Sequence, residues 1–160
     1  MTKTGRRIVL ALLLAAAVFA LSGCGTNKAG CEIISAGFTE NIPAGNLFYT
    51  FEEFDIYKIV FNATLAEKFT AEGASAGSDD FRKAIYKHIS DGCALEVEGG
   101  ESKLQWGYWP EKASENSARK MTLFYTVPKG TPASALTFTL DGSVLGDSEY
   151  RFVYKPDQQK

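Results

Sequence analysis

The sequence predicts a mainly β domain, an antiparallel β-sandwich with one short helix, that follows a cleaved N-terminal signal helix. Most of the chain after residue 30 alternates apolar and polar residues, which is typical of half-buried strands. Tight turns such as Gly99-Gly100 and Asp141-Gly142 separate these segments. Residues 79–91 instead repeat their apolar positions at helical spacing. About seven or eight short strands joined by tight turns favour two antiparallel sheets packed face to face.

The first 23 residues predict a secretory signal peptide. Lys3, Arg6 and Arg7 supply positive charge without any acid, and residues 8–21 form an unbroken apolar run of fourteen residues (21 − 8 + 1). That length fits the apolar region of a signal peptide and is shorter than the roughly 20 residues that span a bilayer as a helix. The leucine-rich run favours ordinary export over a twin-arginine route.

The residues Leu21-Ser22-Gly23-Cys24 resemble the lipobox of bacterial lipoproteins. The resemblance implies cleavage before Cys24, a diacylglyceryl group on its thiol and a further acyl chain, such as palmitate, on the new amine. Two or more acyl chains anchor a protein stably. The alternative is a plain secretory signal with an incidental cysteine. Gly25 stands where an aspartate would retain an enteric lipoprotein at the inner membrane, so it favours the outer membrane or the cell surface.

The composition suits a single exported domain. Loss of Lys3, Arg6 and Arg7 with the signal leaves 14 basic and 19 acidic residues, a net charge of about −5 (14 − 19). This charge argues against nucleic acid as a partner and against electrostatic docking to anionic lipid, so we expect the membrane contact to be the covalent anchor. The predicted layout is a signal peptide at 1–23, a lipidated tether at 24–30, a sandwich domain at 31–156 and a tail at 157–160.

The chain has three cysteines, and two remain if Cys24 is lipidated. In an oxidising compartment, the pair Cys31 and Cys93 predicts a disulfide. It would close a loop of about 60 residues, worth roughly 4 kcal/mol. The alternative is two buried free thiols. Two thiols and the single His88 are too few ligands for a metal site, and no cofactor is predicted.

The strands follow from alternation and from aromatic and β-branched content. Residues 54–62 are apolar on both faces, as in a central strand, and residues 64–69 either extend this strand or begin a helical turn. The other predicted strands are 31–35, 47–51, 93–98, 101–108, 120–127, 135–141 and 150–155.

Residues 79–91 carry the signals of a helix with defined ends. Ser78 supplies an N-cap before two acids, which favour the positive end of the helix dipole. Gly92 follows the last turn as a stop. The apolar stripe consists of Phe81, Ile85 and Ile89.

The segments on either side of Gly99-Gly100 are predicted to pair as one hairpin across a two-residue turn. In that register one face is apolar and the other is charged, as a half-buried pair requires. The paired positions are Leu95 with Leu104, Glu96 with Lys103 and Cys93 with Trp106.

Residues 121–130, followed by a Leu-x-Phe-x-Leu strand at 136–140, resemble the ending of immunoglobulin-like domains in bacterial lipoproteins and secreted antigens of unknown function. The resemblance implies an immunoglobulin-like sandwich. The helix at 79–91 departs from that pattern, and we expect it to cap one open end of the sandwich.

No catalytic motif stands in a suitable context. Residues 73–77 match G-x-S-x-G, but the pattern lacks the parallel strand and the late histidine of a nucleophile elbow, so we interpret the segment as a loop. The single His88 follows it closely, within the predicted helix. Paired acids can hydrolyse glycosides or bind calcium, but they are interpreted here as solvated faces. These acids are Glu52, Glu53, Asp55, Asp79, Asp80, Glu96, Glu98 and Glu101.

The aromatic stretch Trp106-Gly107-Tyr108-Trp109 is the candidate binding surface. Adjacent strand residues point to opposite faces, so Trp109 leans outward if Trp106 and Tyr108 face the core. Exposed tryptophan and tyrosine suit sugar stacking, peptide recognition or a partner hot spot. The alternative is that both tryptophans belong to the core.

These observations predict a lipid-anchored cell-envelope protein that acts as a non-catalytic binding or assembly module, with an envelope protein or glycan as its partner. Two alternatives remain open. An envelope hydrolase would need a cleft with converging acids, or His88 beside a serine or an acid. A purely structural scaffold would present a broad apolar patch of several hundred Å².

Overall fold

The computed structural model describes residues 27–111 and 118–158. The predicted signal peptide, the proposed lipidation site Cys24 and part of the predicted tail lie outside the described residues.

Within the described ranges, nine strands and one α-helix follow one another along the chain, which confirms the prediction of a mainly β protein with one helix. Short 3₁₀ turns lie at 133–135, 142–145 and 156–158. The elements are β1 (Gly30–Thr39), β2 (Ile42–Ala44), β3 (Leu47–Tyr49), β4 (Phe54–Thr64), α1 (Asp79–Asp91), β5 (Cys93–Val97), β6 (Lys103–Tyr108), β7 (Arg119–Pro128), β8 (Leu136–Asp141) and β9 (Arg151–Tyr154).

The strands form two sheets and a separate hairpin, and every pairing described is antiparallel. The larger sheet has the order β1-β4-β7-β6, and the smaller sheet has the order β5-β8-β9. Among the described residues, β2 and β3 pair only with each other. Two of the five pairings in these sheets, β4 with β7 and β5 with β8, join strands that are distant in sequence, because the chain crosses to the other sheet between them.

One hydrophobic core joins both sheets and the helix. The rings of Phe61 and Phe138, one from each sheet, lie 5.4 Å apart between centroids. Central strand β4 is buried on both faces. Its inner face belongs to the main core, and Ile56 on its outer face belongs to a second, smaller hydrophobic cluster. Fully buried members of the main core include Ile59, Met121, Leu123, Val127, Leu140, Ile85 and Ile89.

The helix forms as its sequence signals predict. The Ser78 hydroxyl accepts a hydrogen bond from the Phe81 amide at 3.1 Å, and the Gly92 amide donates to the Ile89 carbonyl at 3.1 Å beyond the last turn. The predicted apolar stripe faces the core, where burial of each large side chain is worth about 1.5–3 kcal/mol. Of residues 64–69, only Thr64 extends the strand, because β4 ends there and irregular chain follows at 65–69.

The predicted hairpin across Gly99-Gly100 is wrong. Strand β5 pairs with β8, and β6 pairs with β7, so Leu95 lies opposite Phe138 while Leu104 lies opposite Tyr125. Alternation specifies which face of a strand is buried but not which strand it joins. Leu95 and Leu104 both reach the core from different sheets, and the chain changes sheets between them.

The structure does not contain the predicted disulfide, since Cys31 and Cys93 are both free thiols in it. The Cys93 thiol donates to the carbonyl oxygen of Ile89 at 3.3 Å, at the end of α1, and so is directed to the helix. Burial raises the pKa of Cys31 to about 12. Burial also raises the pKa of Cys93, and the nearby Cys31 adds to that rise.

We expect a thiol reagent to react slowly with Cys31 and Cys93 in the folded protein and rapidly after denaturation, because the thiolate is the reactive form. The measurement is a chromogenic thiol assay without reductant on a Cys24→Ser chain. Rapid labelling of the folded chain would contradict the burial of the thiols. Absence of labelling after denaturation would show that the two cysteines are joined.

Candidate ligand cleft

The predicted aromatic surface lies on β6, an edge strand of the larger sheet, and directly after it. Trp106, Tyr108 and Trp109 are between 38% and 44% exposed. Trp106 lies opposite Phe124, and Tyr108 lies opposite Thr122, on the sheet face away from the main core. The expectation that Trp106 and Tyr108 face the core, and the alternative that both tryptophans do, are therefore not met.

A β-bulge explains the difference. The pairing of β6 with β7 shifts register between Leu104 and Trp106. Strict alternation would place Leu104 and Trp106 on the same face, but the extra residue, Gln105, reverses every side chain that follows. Leu104 therefore packs against the main core, whereas Trp106 faces outward. The Gln105 amide donates to the Thr126 hydroxyl at 2.9 Å and fixes the bulge.

These aromatic side chains line a cleft of about 710 Å³, within the size range of small-molecule sites. Strands β6 and β7 form its floor, the tip of the β2–β3 hairpin forms one wall, and the helix contributes Arg82. Its remaining lining residues are Ala44, Gly45, Gly107, Glu111, Lys120 and Thr122.

The hairpin wall is held by a small core and by one hydrogen bond. Ile42 is buried against Ile56 and Phe124 on the outer face of the larger sheet. The Tyr108 hydroxyl donates to the carbonyl oxygen of Pro43 at 2.5 Å. The Tyr108 ring also meets Phe124 edge-on, with centroids 5.6 Å apart. Tyr108 thus fixes the hairpin over the sheet, and its partial burial raises its pKa.

The helix wall depends on a close approach at Gly107. A Cβ atom at this position would lie 2.5 Å from the ring and the hydroxyl of Tyr86 and 2.8 Å from the carbonyl oxygen of Thr122. Glycine therefore lets α1 pack against β6. Arg82 donates from Nε to the carbonyl oxygen of Pro110 at 3.2 Å and from Nη1 to Asp79 at 3.0 Å. These two bonds orient the guanidinium at the cleft.

Other residues singled out by the sequence are not assembled into a site. The segment 73–77 is a loop, as predicted, in which Gly73 and Gly77 adopt positive φ angles and Ser75 is exposed. His88 is exposed and lies against the Phe69 ring at 5.1 Å between centroids. Among the candidate acids, all but Asp55 are exposed, and Asp55 accepts from the Gly130 amide at 2.7 Å.

The part of the chain that the structure describes contains no group of three or more histidine, cysteine or acidic side chains that could hold a metal ion. In the same ranges, no helix has the length and apolar character needed to cross a bilayer.

Sequence reasoning located the aromatic floor of the cleft but missed its two walls. Only the sharp turn around Gly45 and the glycine between two aromatic residues at Gly107 were signals of close approach. Comparisons with protein-family models, curated proteins and solved structures found no match to this chain.

Proposed function

We propose that this chain is a lipid-anchored cell-envelope protein that binds a ligand in the cleft, without catalysing a reaction on it. The lipobox-like Leu21–Cys24 segment after a short apolar run supports export and anchoring at the outer membrane or cell surface. The anchor is the acylated Cys24, and the domain that follows acts as the binding module.

The observation that carries the binding proposal is the concentration of aromatic surface in one cleft. Trp106 and Trp109 are the two tryptophans of the chain, and both line it together with Tyr108. Large aromatic rings left partly exposed in a concave site are available to stack on a ligand. Arg82 and Lys120 add hydrogen-bond donors at its margin.

An envelope glycan is the ligand class that fits this lining best. Sugar rings have apolar faces that stack on aromatic side chains and hydroxyl groups that need both donors and acceptors. The cleft offers the rings of Trp106 and Trp109, the donors of Arg82 and Lys120, and the carboxylate of Glu111. Stacking and hydrogen bonds from these side chains are enough to bind a glycan, and no catalytic group is needed for this.

We expect Trp109→Ala to leave the fold intact and to weaken ligand capture at least about tenfold, because a partly exposed ring contributes to binding more than to the core. The measurement is a titration with soluble fragments of envelope glycan, followed by tryptophan emission in the wild type and by calorimetry in the variants. Phe54→Ala is the matched control, since Phe54 is an equally exposed aromatic residue outside the cleft. Unchanged binding by Trp109→Ala would reject the cleft as the site.

We also propose that the fold is an immunoglobulin-like sandwich of the constant type. Without the β2–β3 hairpin, seven strands remain, and they can be lettered A to G along the chain. The larger sheet then has the order A-B-E-D and the smaller sheet the order C-F-G, as in constant domains. The hairpin is an insertion between A and B, and α1 is an insertion between B and C. An experimental structure that pairs β6 with β5 would contradict this proposal.

A further inference from the structure

The anchored end of the domain and the aromatic cleft lie at the same end of the larger sheet. We call this end the Gly30 end, because β1 begins there. The antiparallel pairings bring four strand termini together at this end: the start of β1, the end of β4, the start of β7 and the end of β6. The pairs that define it are Gly30 with Thr64, Ala63 with Arg119, and Thr122 with Tyr108.

The β2–β3 hairpin extends over the outer face of the sheet towards the same end. Its first strand begins over Ile56, and its tip at Gly45 lines the cleft with Trp109 and Lys120. The second strand carries the two most exposed large apolar side chains of the described residues, Leu47 at 61% and Phe48 at 67%. The hairpin therefore presents apolar surface beside the cleft, with no other element of the described chain covering it.

The short tether at residues 24–30 limits how far the Gly30 end can lie from the membrane. Five residues lie between Cys24 and Gly30, so six residue-to-residue steps join them (30 − 24), and a fully extended chain of six steps reaches at most about 20 Å. An acylated Cys24 sits at the bilayer surface, so the Gly30 end cannot lie farther from it than this short tether allows. The opposite end of the sheet, near Phe54, is roughly 30 Å away along β4.

We propose that the Gly30 end rests on the bilayer, with Leu47 and Phe48 inserted at the boundary between headgroups and acyl chains and with Trp109 beside them. This inference rests on the proposed lipid anchor at Cys24. Leucine and phenylalanine gain from leaving water, and tryptophan is favoured at the membrane interface because its ring is apolar and its N–H is polar. The domain is thereby oriented on the membrane, and the cleft opens beside the lipid surface.

The contact depends on apolar burial rather than on charge. Charges of both signs lie near the cleft: the acids are Asp80 and Glu111, and the bases are Arg82, Lys83, Lys87 and Lys120. Without the signal peptide the chain has 14 basic and 19 acidic residues, a net charge of about −5 (14 − 19). Neutral phosphatidylcholine is therefore a sufficient membrane for the test, and salt should not weaken the contact.

The two tryptophans report this contact without labelling. The lipidated protein is reconstituted into phosphatidylcholine vesicles with or without brominated acyl chains, which quench tryptophan at short range. We expect brominated vesicles to remove most of the emission, at low and at high salt alike. Protein that floats with the vesicles but keeps its emission would overturn the inference while leaving the anchor intact. Protein that does not float would overturn both.

Matched variants define which surface touches the lipid. Phe48→Trp should add emission that brominated lipid quenches, whereas Phe54→Trp, at the far end of the same sheet face, should add emission that survives. Equal quenching of both would overturn the end-on orientation. Leu47→Ser with Phe48→Ser replaces exposed residues and should reduce the quenching of the native tryptophans; an unchanged loss would reject the hairpin as the contact.

Discussion

Replacing Gly142 with alanine should cost at least about 3 kcal/mol of the free energy of unfolding, the upper part of the range for overpacking. An added Cβ would overlap the carbonyl oxygens of Tyr150 and Asp147 and would lie 2.7 Å from the carbonyl carbon of Tyr150. These are backbone atoms, which cannot move away by changing a rotamer. A loss of this size is a large fraction of the stability of a single domain.

Backbone hydrogen bonds fix the atoms that the new methyl group would meet. The Gly142 amide donates to the carbonyl oxygen of Tyr150 at 2.8 Å, and the Asp147 amide donates to the carbonyl oxygen of Gly142 at 2.9 Å. The same turn buries Leu145, whose carbonyl accepts from the Ala66 amide at 2.7 Å. Relief of the overlap would therefore break this turn and withdraw Leu145 from the core.

The measurement is urea unfolding followed by circular dichroism, with Gly37→Ala as the matched control. A Cβ at Gly37 meets nothing within 4 Å, and the residue lies in β1 opposite Lys58. The control should change stability by less than about 1 kcal/mol, the usual limit for a substitution on an open surface. If both variants unfold at the same urea concentration as the wild type, the result would contradict the close packing of backbone atoms around Gly142.

The sequence predicted the elements whose signals are local. The helix is an example, since Ser78, the apolar stripe and Gly92 act within a few residues of one another. The apolar residues on both faces of 54–62 likewise predicted the central strand β4 and its burial on both faces. Such signals depend on backbone hydrogen bonding and on the periodicity of one segment, so no knowledge of distant residues is needed.

Pairing between strands could not be obtained in the same way. The alternation in β5 and β6 is satisfied equally by a hairpin and by placement in two different sheets. The bulge at Gln105, which turns Trp106 outward, depends on the partner strand β7. The walls of the cleft likewise result from packing between distant segments, which brings Arg82 and the tip at Gly45 to the aromatic residues. The floor of the site was therefore predictable and its shape was not.

Stability should fall steeply above about pH 9, because buried thiols and phenols keep their protons only in the folded state. In the unfolded chain a thiol ionises near its ordinary pKa of 9.0, whereas burial holds the pKa of Cys31 at about 12 and raises that of Cys93. Burial likewise raises the pKa of Tyr57 to about 12, with its neighbour Tyr154 adding to the rise, and raises the pKa of Tyr125. The stability that these protonated groups contribute is complete below pH 9 and is lost as the pH rises through 12.

The two thiols dominate the lower part of that range, since phenols in an unfolded chain ionise near 10. Each proton held only by the folded state lowers stability by about 1.4 kcal/mol per pH unit, so the thiols together remove up to about 3 kcal/mol per unit between pH 9 and 11. Urea midpoints at intervals across this range measure the slope. Cys31→Ala with Cys93→Ala removes both thiols and should flatten it. A slope unchanged in that variant would show that lysines or tyrosines carry the alkaline sensitivity and that the thiols ionise normally.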